Sequence, residues 1–137
     1  MADWWQWSQK REKEALTFAV VGVGRFGTAV CRELISNGAD VLAADYSEKA
    51  IDDLRQLEPS IEARVVDCTD EESMKESGIL EMNTVVVGIS EPIEASITTT
   101  LIAKDSEGSK VKRVIARATS DLHEKMLKRV GADKVVF

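Results

Sequence analysis

An apolar run, Leu16 to Val21, breaks into Gly22-Val23-Gly24-Arg25-Phe26-Gly27, and a helical stripe of Phe26, Val30 and Leu34 follows at once. Asp45 stands 18 residues past the last glycine, at the end of a second apolar run. A buried strand that passes straight into a helix through three glycines leaves few folds open. Gly22 permits the tight turn, Gly24 lets the backbone approach a phosphate, and Gly27 lets the helix pack close to the strand. The helix start adds unpaired N–H groups and partial positive charge for an anion. The glycine spacing alone is a weak signal. Strand, helix and acidic residue in their required places make it specific. They imply an adenine nucleotide as ligand, and they say nothing of chemistry performed on it.

The rest of the chain extends the same pattern. Short apolar runs predict strands at Leu16–Val21, Val41–Ala44, Ala63–Val66, Thr84–Gly88, Val114–Ala118 and Lys134–Phe137. Val, Ile and Ala dominate them, as in strands covered on both faces. Between them lie stripes at helical spacing: Ile51, Leu54 and Leu57; Ile93, Ile97 and Leu101; Leu122, Met126 and Val130. Gly38, Gly78 and Gly131 each follow a helical stretch, the usual place of a glycine cap. Ser47, Asp70 and Ser120 are placed to cap helix N-termini. Alternating strands and helices with right-handed crossovers give an α/β fold, a Rossmann-like, doubly wound parallel sheet of six strands in the order 3-2-1-4-5-6.

With 137 residues there is room for about one such domain. It is expected over 15–137, preceded by a Trp-rich segment, 1–14, that carries Trp4, Trp5 and Trp7. Those three rings are expected to pack on the domain or on a neighbouring subunit. No apolar stretch approaches the ~20 residues that cross a bilayer, and the first residues lack the pattern of a signal peptide. A cytoplasmic chain is expected. The net charge of −6 and the lack of a basic stripe speak against nucleic acid. Lys110, Lys112 and Arg113 form the densest basic cluster and are read as a solvated edge. Cys31 and Cys68 are too few and too far apart for a zinc site. No metal ligands and no catalytic residues are assigned.

The remaining site residues follow from the topology. Asp45 ends the second strand, where a carboxylate accepts ribose hydroxyls and repels a 2′-phosphate, with Tyr46 beside it. Asp67 and Cys68 end the third strand, on the adenine side. Gly88, Ile89 and Ser90 end the fourth strand and form the far wall, with Glu91 and Pro92 opening the next helix. Arg117 ends the fifth strand and is read as turned toward the same crevice. Arg25 is the most telling residue, because its planar donor fork suits a terminal phosphate. The turn itself contributes Gly22, Val23, Gly24, Phe26 and Gly27.

The run Phe18-Ala19-Val20-Val21-Gly22-Val23-Gly24-Arg25-Phe26-Gly27 resembles the opening of the KTN, or RCK N-terminal (TrkA-N), domain. Val65-Val66-Asp67-Cys68-Thr69-Asp70 and Lys128-Arg129-Val130-Gly131-Ala132-Asp133-Lys134-Val135-Val136 resemble later stretches of it. Cys68 stands where alanine is common, and Val66 stands where a glycine precedes the aspartate. The resemblance covers roughly 16–137 and implies a cytosolic regulatory subunit of a Trk- or Ktr-type potassium uptake system, or a channel gating ring. It also implies NAD(H) or ATP/ADP as regulatory ligand, with Arg25 serving the terminal phosphate and Asp45 the ribose. The implied partner is a potassium-translocating membrane subunit, with dimers assembling into an octameric ring peripheral to the inner face of the membrane. Members continue past the residue matching Phe137 into a dimerising helix.

Two other functions are open to such a chain. A small NAD-dependent oxidoreductase, or its cofactor-binding fragment, needs an acid or base beside the nicotinamide. The single histidine, His123, lies on the last predicted helix, and Tyr46 and Lys49 are three apart rather than four. An adaptor with a vestigial pocket sits poorly with intact glycines and Asp45.

Overall fold

A computed structural model of the chain describes residues 17–137. The expected domain boundary and the three tryptophans lie outside them.

Six parallel strands form one sheet: β1 (Thr17–Val21), β2 (Asp40–Asp45), β3 (Glu62–Val65), β4 (Thr84–Val87), β5 (Arg113–Arg117) and β6 (Lys134–Val136). Their order is β3-β2-β1-β4-β5-β6, as the alternating pattern predicts. Five α-helices connect them: α1 (Arg25–Ser36), α2 (Glu48–Leu57), α3 (Glu71–Ser77), α4 (Ile93–Asp105) and α5 (Asp121–Arg129), with a short 3-10 turn at Ile79–Glu81.

Successive residues of a strand face opposite sides, and here both sides are covered. Phe18, Val20, Ala43 and Ala63 pack with Val30, Cys31 and Leu34 of α1 and Ile51 and Leu54 of α2. On the other side Ala19, Val21, Val85, Val87 and Val114 pack with Met74, Ile79, Ala103 and Leu127. The caps are where the sequence puts them. Ser47 accepts from the Ala50 N–H at 3.1 Å, Asp70 from the Ser73 N–H at 2.9 Å and Ser120 from the His123 N–H at 3.1 Å.

Three helix faces differ from the expected stripes. Leu57 is half exposed, because residues three apart drift by about 60° around a helix and the third leaves the core face. On α4 the buried residues are Ser96, Thr99, Thr100 and Ala103, while Leu101 is exposed. Ile97 and Ile102 only flank the core there. On α5 the buried pair is His123 and Leu127, and Leu122 is 66% exposed. A polar ring can take the core position because both its nitrogens find partners, described below. The basic cluster also divides. Lys110 and Lys112 are exposed, whereas Arg113 is buried with Nη1 3.3 Å from Asn83 Oδ1.

Candidate functional site

At the carboxyl ends of β1, β2, β3 and β4 lies a cleft of about 520 Å³, within the size range of nucleotide and cofactor pockets. Of the residues predicted for the site, Gly22, Gly24, Asp45, Tyr46, Asp67, Cys68, Gly88, Ile89 and Ser90 line it together. It sits where the strand order reverses, because β1 feeds β2 on one side and pairs with β4 on the other. Ligands of open parallel sheets bind at such a reversal.

The glycine turn is shaped by close contacts. Gly22 has φ +91°, and a Cβ there would stand 2.8 Å from the Ile89 nitrogen. A Cβ at Gly27 would lie 1.8 Å from the Gly22 carbonyl oxygen, so any side chain would push α1 off the turn. Gly24 differs. Nothing approaches its Cβ position within 4 Å, so open space faces it. Gly24 also caps α1, and no side chain accepts from that helix start. The first-turn amides of a helix have no partner inside it. Gly24, just before them, lines the cleft, and the first turn carries no acidic residue.

Asp45 holds the turn as well as facing the cleft. Its Oδ2 accepts from the Val23 N–H at 2.8 Å and its Oδ1 from the Ser47 N–H at 2.8 Å. The Val23 amide is thus committed to the carboxylate. Each carboxylate oxygen keeps a second lone pair for a hydroxyl donor. Asp67 accepts from the Thr69 N–H at 3.0 Å and the Thr69 hydroxyl at 2.7 Å. The α3 cap is therefore Asp70, and Asp67 stays with the cleft lining. Tyr46 stands at the rim, 78% exposed. Cys68 is buried, and that burial, followed by the charges of Asp45 and Asp67, pushes its thiol up to about 12. It is a neutral thiol at physiological pH, a poor nucleophile.

The remaining predicted residues are not part of the lining. Val23 and Gly27 are buried beneath the turn. Arg25 is exposed at the first position of α1. Arg117 places its guanidinium 5.3 Å from the centroid of the Phe26 ring, just inside the start of α1. Both cations therefore sit around the helix start rather than in the cleft. Ser47, read only as a cap, and Ala95, which carries no chemical signal, were missed and both line the cleft. Among the described residues no cluster of His, Cys, Asp and Glu could hold a metal ion, and no helix is long and apolar enough to cross a membrane.

Known proteins are similar to this chain in sequence or in fold. The chain is 39% identical over 119 residues to Ktr system potassium uptake protein C of Bacillus subtilis, covering 87% of this chain and 52% of that protein. It is 37% identical over 120 residues to Ktr system potassium uptake protein A of Vibrio alginolyticus, covering 88% of this chain and 52% of that one. It thus spans about half the length of these curated relatives. Among solved structures, the TrkA-N domain of the inner membrane protein ybaL from Escherichia coli superposes with a TM-score of 0.77 at 20% identity, covering 90% of this chain and 87% of the other. The GsuK channel bound to NAD superposes at 0.75 with 14% identity over 97% of this chain and 25% of that one. GsuK bound to ADP gives 0.71 with 15% identity over 89% and 31%. At such identities these structures speak for the fold. The TrkA-N domain family matches residues 18–137, nearly the whole of the sheet and its helices, and the chain belongs to that family.

Proposed function

We propose that the chain is the nucleotide-sensing part of a cytosolic regulatory subunit of a potassium uptake system, and that it binds NAD(H) or ATP/ADP in the cleft without catalysing a reaction on them. The observation that carries this reading is the uncapped start of α1, open at Gly24 and facing Asp45, in a chain whose relatives are Ktr potassium uptake proteins. The two bound forms of GsuK, with NAD and with ADP, suggest the ligands.

In this reading the α1 amides take the phosphates, and Asp45 takes the ribose hydroxyls. Asp67, Cys68 and Tyr46 flank the adenine, and Gly88, Ile89 and Ser90 face the second half of a dinucleotide. Arg25 and Arg117 supply charge around the phosphates. No basic side chain follows Asp45 at Tyr46 or Ser47 to accept a 2′-phosphate, which disfavours NADP. The single histidine cannot serve an oxidoreductase as acid or base at the cleft, because His123 is fully buried with both ring nitrogens engaged.

Exchange of one nucleotide for another would bias a conformational equilibrium by the difference in affinity for the two states, commonly about 1–3 kcal/mol per site. Repetition around a homo-oligomeric ring of dimers, docked on a potassium-translocating subunit at the inner membrane face, would multiply that bias. Titration of ATP, ADP, NAD and NADH against the purified chain tests the reading. A bound ligand raises the melting temperature by mass action. No response to any of the four would reject it. Arg25→Ala is expected to weaken ATP more than NAD, and equal losses would remove Arg25 from the terminal phosphate. Asp45→Ala is expected to weaken all four ligands.

A further inference from the structure

Outside the cleft, α4 and α5 meet through a buried polar contact. His123 sets Nε2 2.7 Å from Ser96 Oγ. Its Nδ1 accepts the Thr119 N–H at 3.1 Å, and a nitrogen that accepts a backbone N–H carries no proton of its own. This bonding assigns the proton to Nε2, which donates to Ser96. The Ser96 hydroxyl donates in turn to the Ile93 carbonyl at 2.8 Å. Farther along α4, the Thr99 hydroxyl donates to the Cys68 carbonyl at 3.0 Å. Ser96, Thr99 and His123 are all fully buried, and none of them lines the cleft. Yet Ala95 and Pro92, next to Ser96 and Ile93, form one wall, and Cys68 belongs to the other.

We infer that Ser96, His123 and Thr99 are positioning residues that set how far the α4 wall stands from the wall made by Asp45, Asp67 and Cys68. This rests on the nucleotide reading above and deepens it. The inward face of α4 is small and polar. Apolar contact, being non-directional, would leave such a helix free to slide over the sheet. Hydrogen bonds lose strength steeply when bent, so two of them at different points along the helix fix its rotation and height. In the nucleotide reading the half of the nucleotide nearest Asp45 and Asp67 lies away from α4, and the second half of a dinucleotide lies against Gly88, Ile89 and Ser90, which lead into α4. The brace therefore governs affinity for NAD and leaves AMP alone.

The test is calorimetric titration of NAD and of AMP against the wild-type chain, Ser96→Ala, His123→Gln and the double variant, with folding checked by urea melts. Each single variant is expected to weaken NAD about fivefold, the worth of one net hydrogen bond, with no further loss in the double variant and AMP within about twofold of wild type. Ser96→Ala alone gives the same readout if His123→Gln does not fold. Equal weakening of NAD and AMP, or no weakening of either in cooperatively melting variants, would overturn the inference. If the wild-type chain bound ATP or ADP but not NAD, this inference alone would fail; if it bound none of ATP, ADP, NAD and NADH, the nucleotide reading would fail first.

Discussion

Helices α1 and α4 border the same cleft from opposite faces of the sheet, and they are seated by different forces. Gly27, Val30, Cys31 and Leu34 bury an apolar stripe of α1. Ser96, Thr99, Thr100 and Ala103 bury a small, polar stripe of α4. Burial of aliphatic side chains gives large, non-directional stabilisation. Buried hydroxyls contribute little net energy but strict geometry, and they cost free energy where they lack a partner. One wall of the cleft is thus held by mass of contact, and the other by a few oriented bonds. For the sensing role proposed above the asymmetry matters, because bonds that need strict geometry respond to small displacements.

The sharpest break of this comparison is Gly27→Ala. With a backbone oxygen 1.8 Å from the new Cβ, α1 must leave the turn. A loss of about 4 kcal/mol or more is expected, among the largest that single substitutions give, and it would be read as the absence of a cooperative urea transition. Next comes Leu34→Ala on α1, expected to cost about 2–5 kcal/mol through the cavity it leaves. Leu101→Ala on α4 is its control and should fall within about 0.5 kcal/mol. Equal effects in urea melts would erase the distinction between the two helices.

His123 makes the α4 seat pH-dependent. Burial holds its imidazole below the ordinary value of 6.5. Between the two values the unfolded chain binds more protons, so stability rises with pH. The contribution is whole above the unfolded value and is lost as pH falls through the folded one. Urea midpoints measured from roughly pH 8 to pH 5 should therefore drop more steeply for the wild-type chain than for His123→Gln, and parallel curves would contradict this. The smallest effect is expected at Thr100, whose buried hydroxyl has no hydrogen-bond partner. Thr100→Val should be neutral or stabilise by about 1 kcal/mol, and a clear loss of melting temperature would show that the hydroxyl is satisfied after all.

Most of the fold and the floor of the cleft were legible in the order of residues. Ser47, Asp70 and Ser120 act as caps because each bonds an amide three positions ahead. The glycine turn is equally local, and the strand order follows from alternation and handedness. The helix faces were less legible. On α4 the isoleucines suggested an apolar stripe, and on α5 Leu122 did so. In each case a polar residue that reaches a partner elsewhere in the chain took a core place, Thr99 to Cys68 and His123 to Ser96. Arg117, read as turned into the crevice, instead stacks on Phe26, and no spacing rule indicates that contact.

By itself the sequence determined what a few neighbouring residues settle among themselves: six strands, their helices, the caps, and a turn that only glycine can make. Tertiary structure decided the rest. Asp45 meets the Val23 amide across 22 residues, and His123 meets Ser96 across 27. Local patterns are set by sterics and hydrogen bonds within a turn or two of chain. The choice of which polar group is affordable in the core depends on a partner that only the closed fold brings within bonding distance.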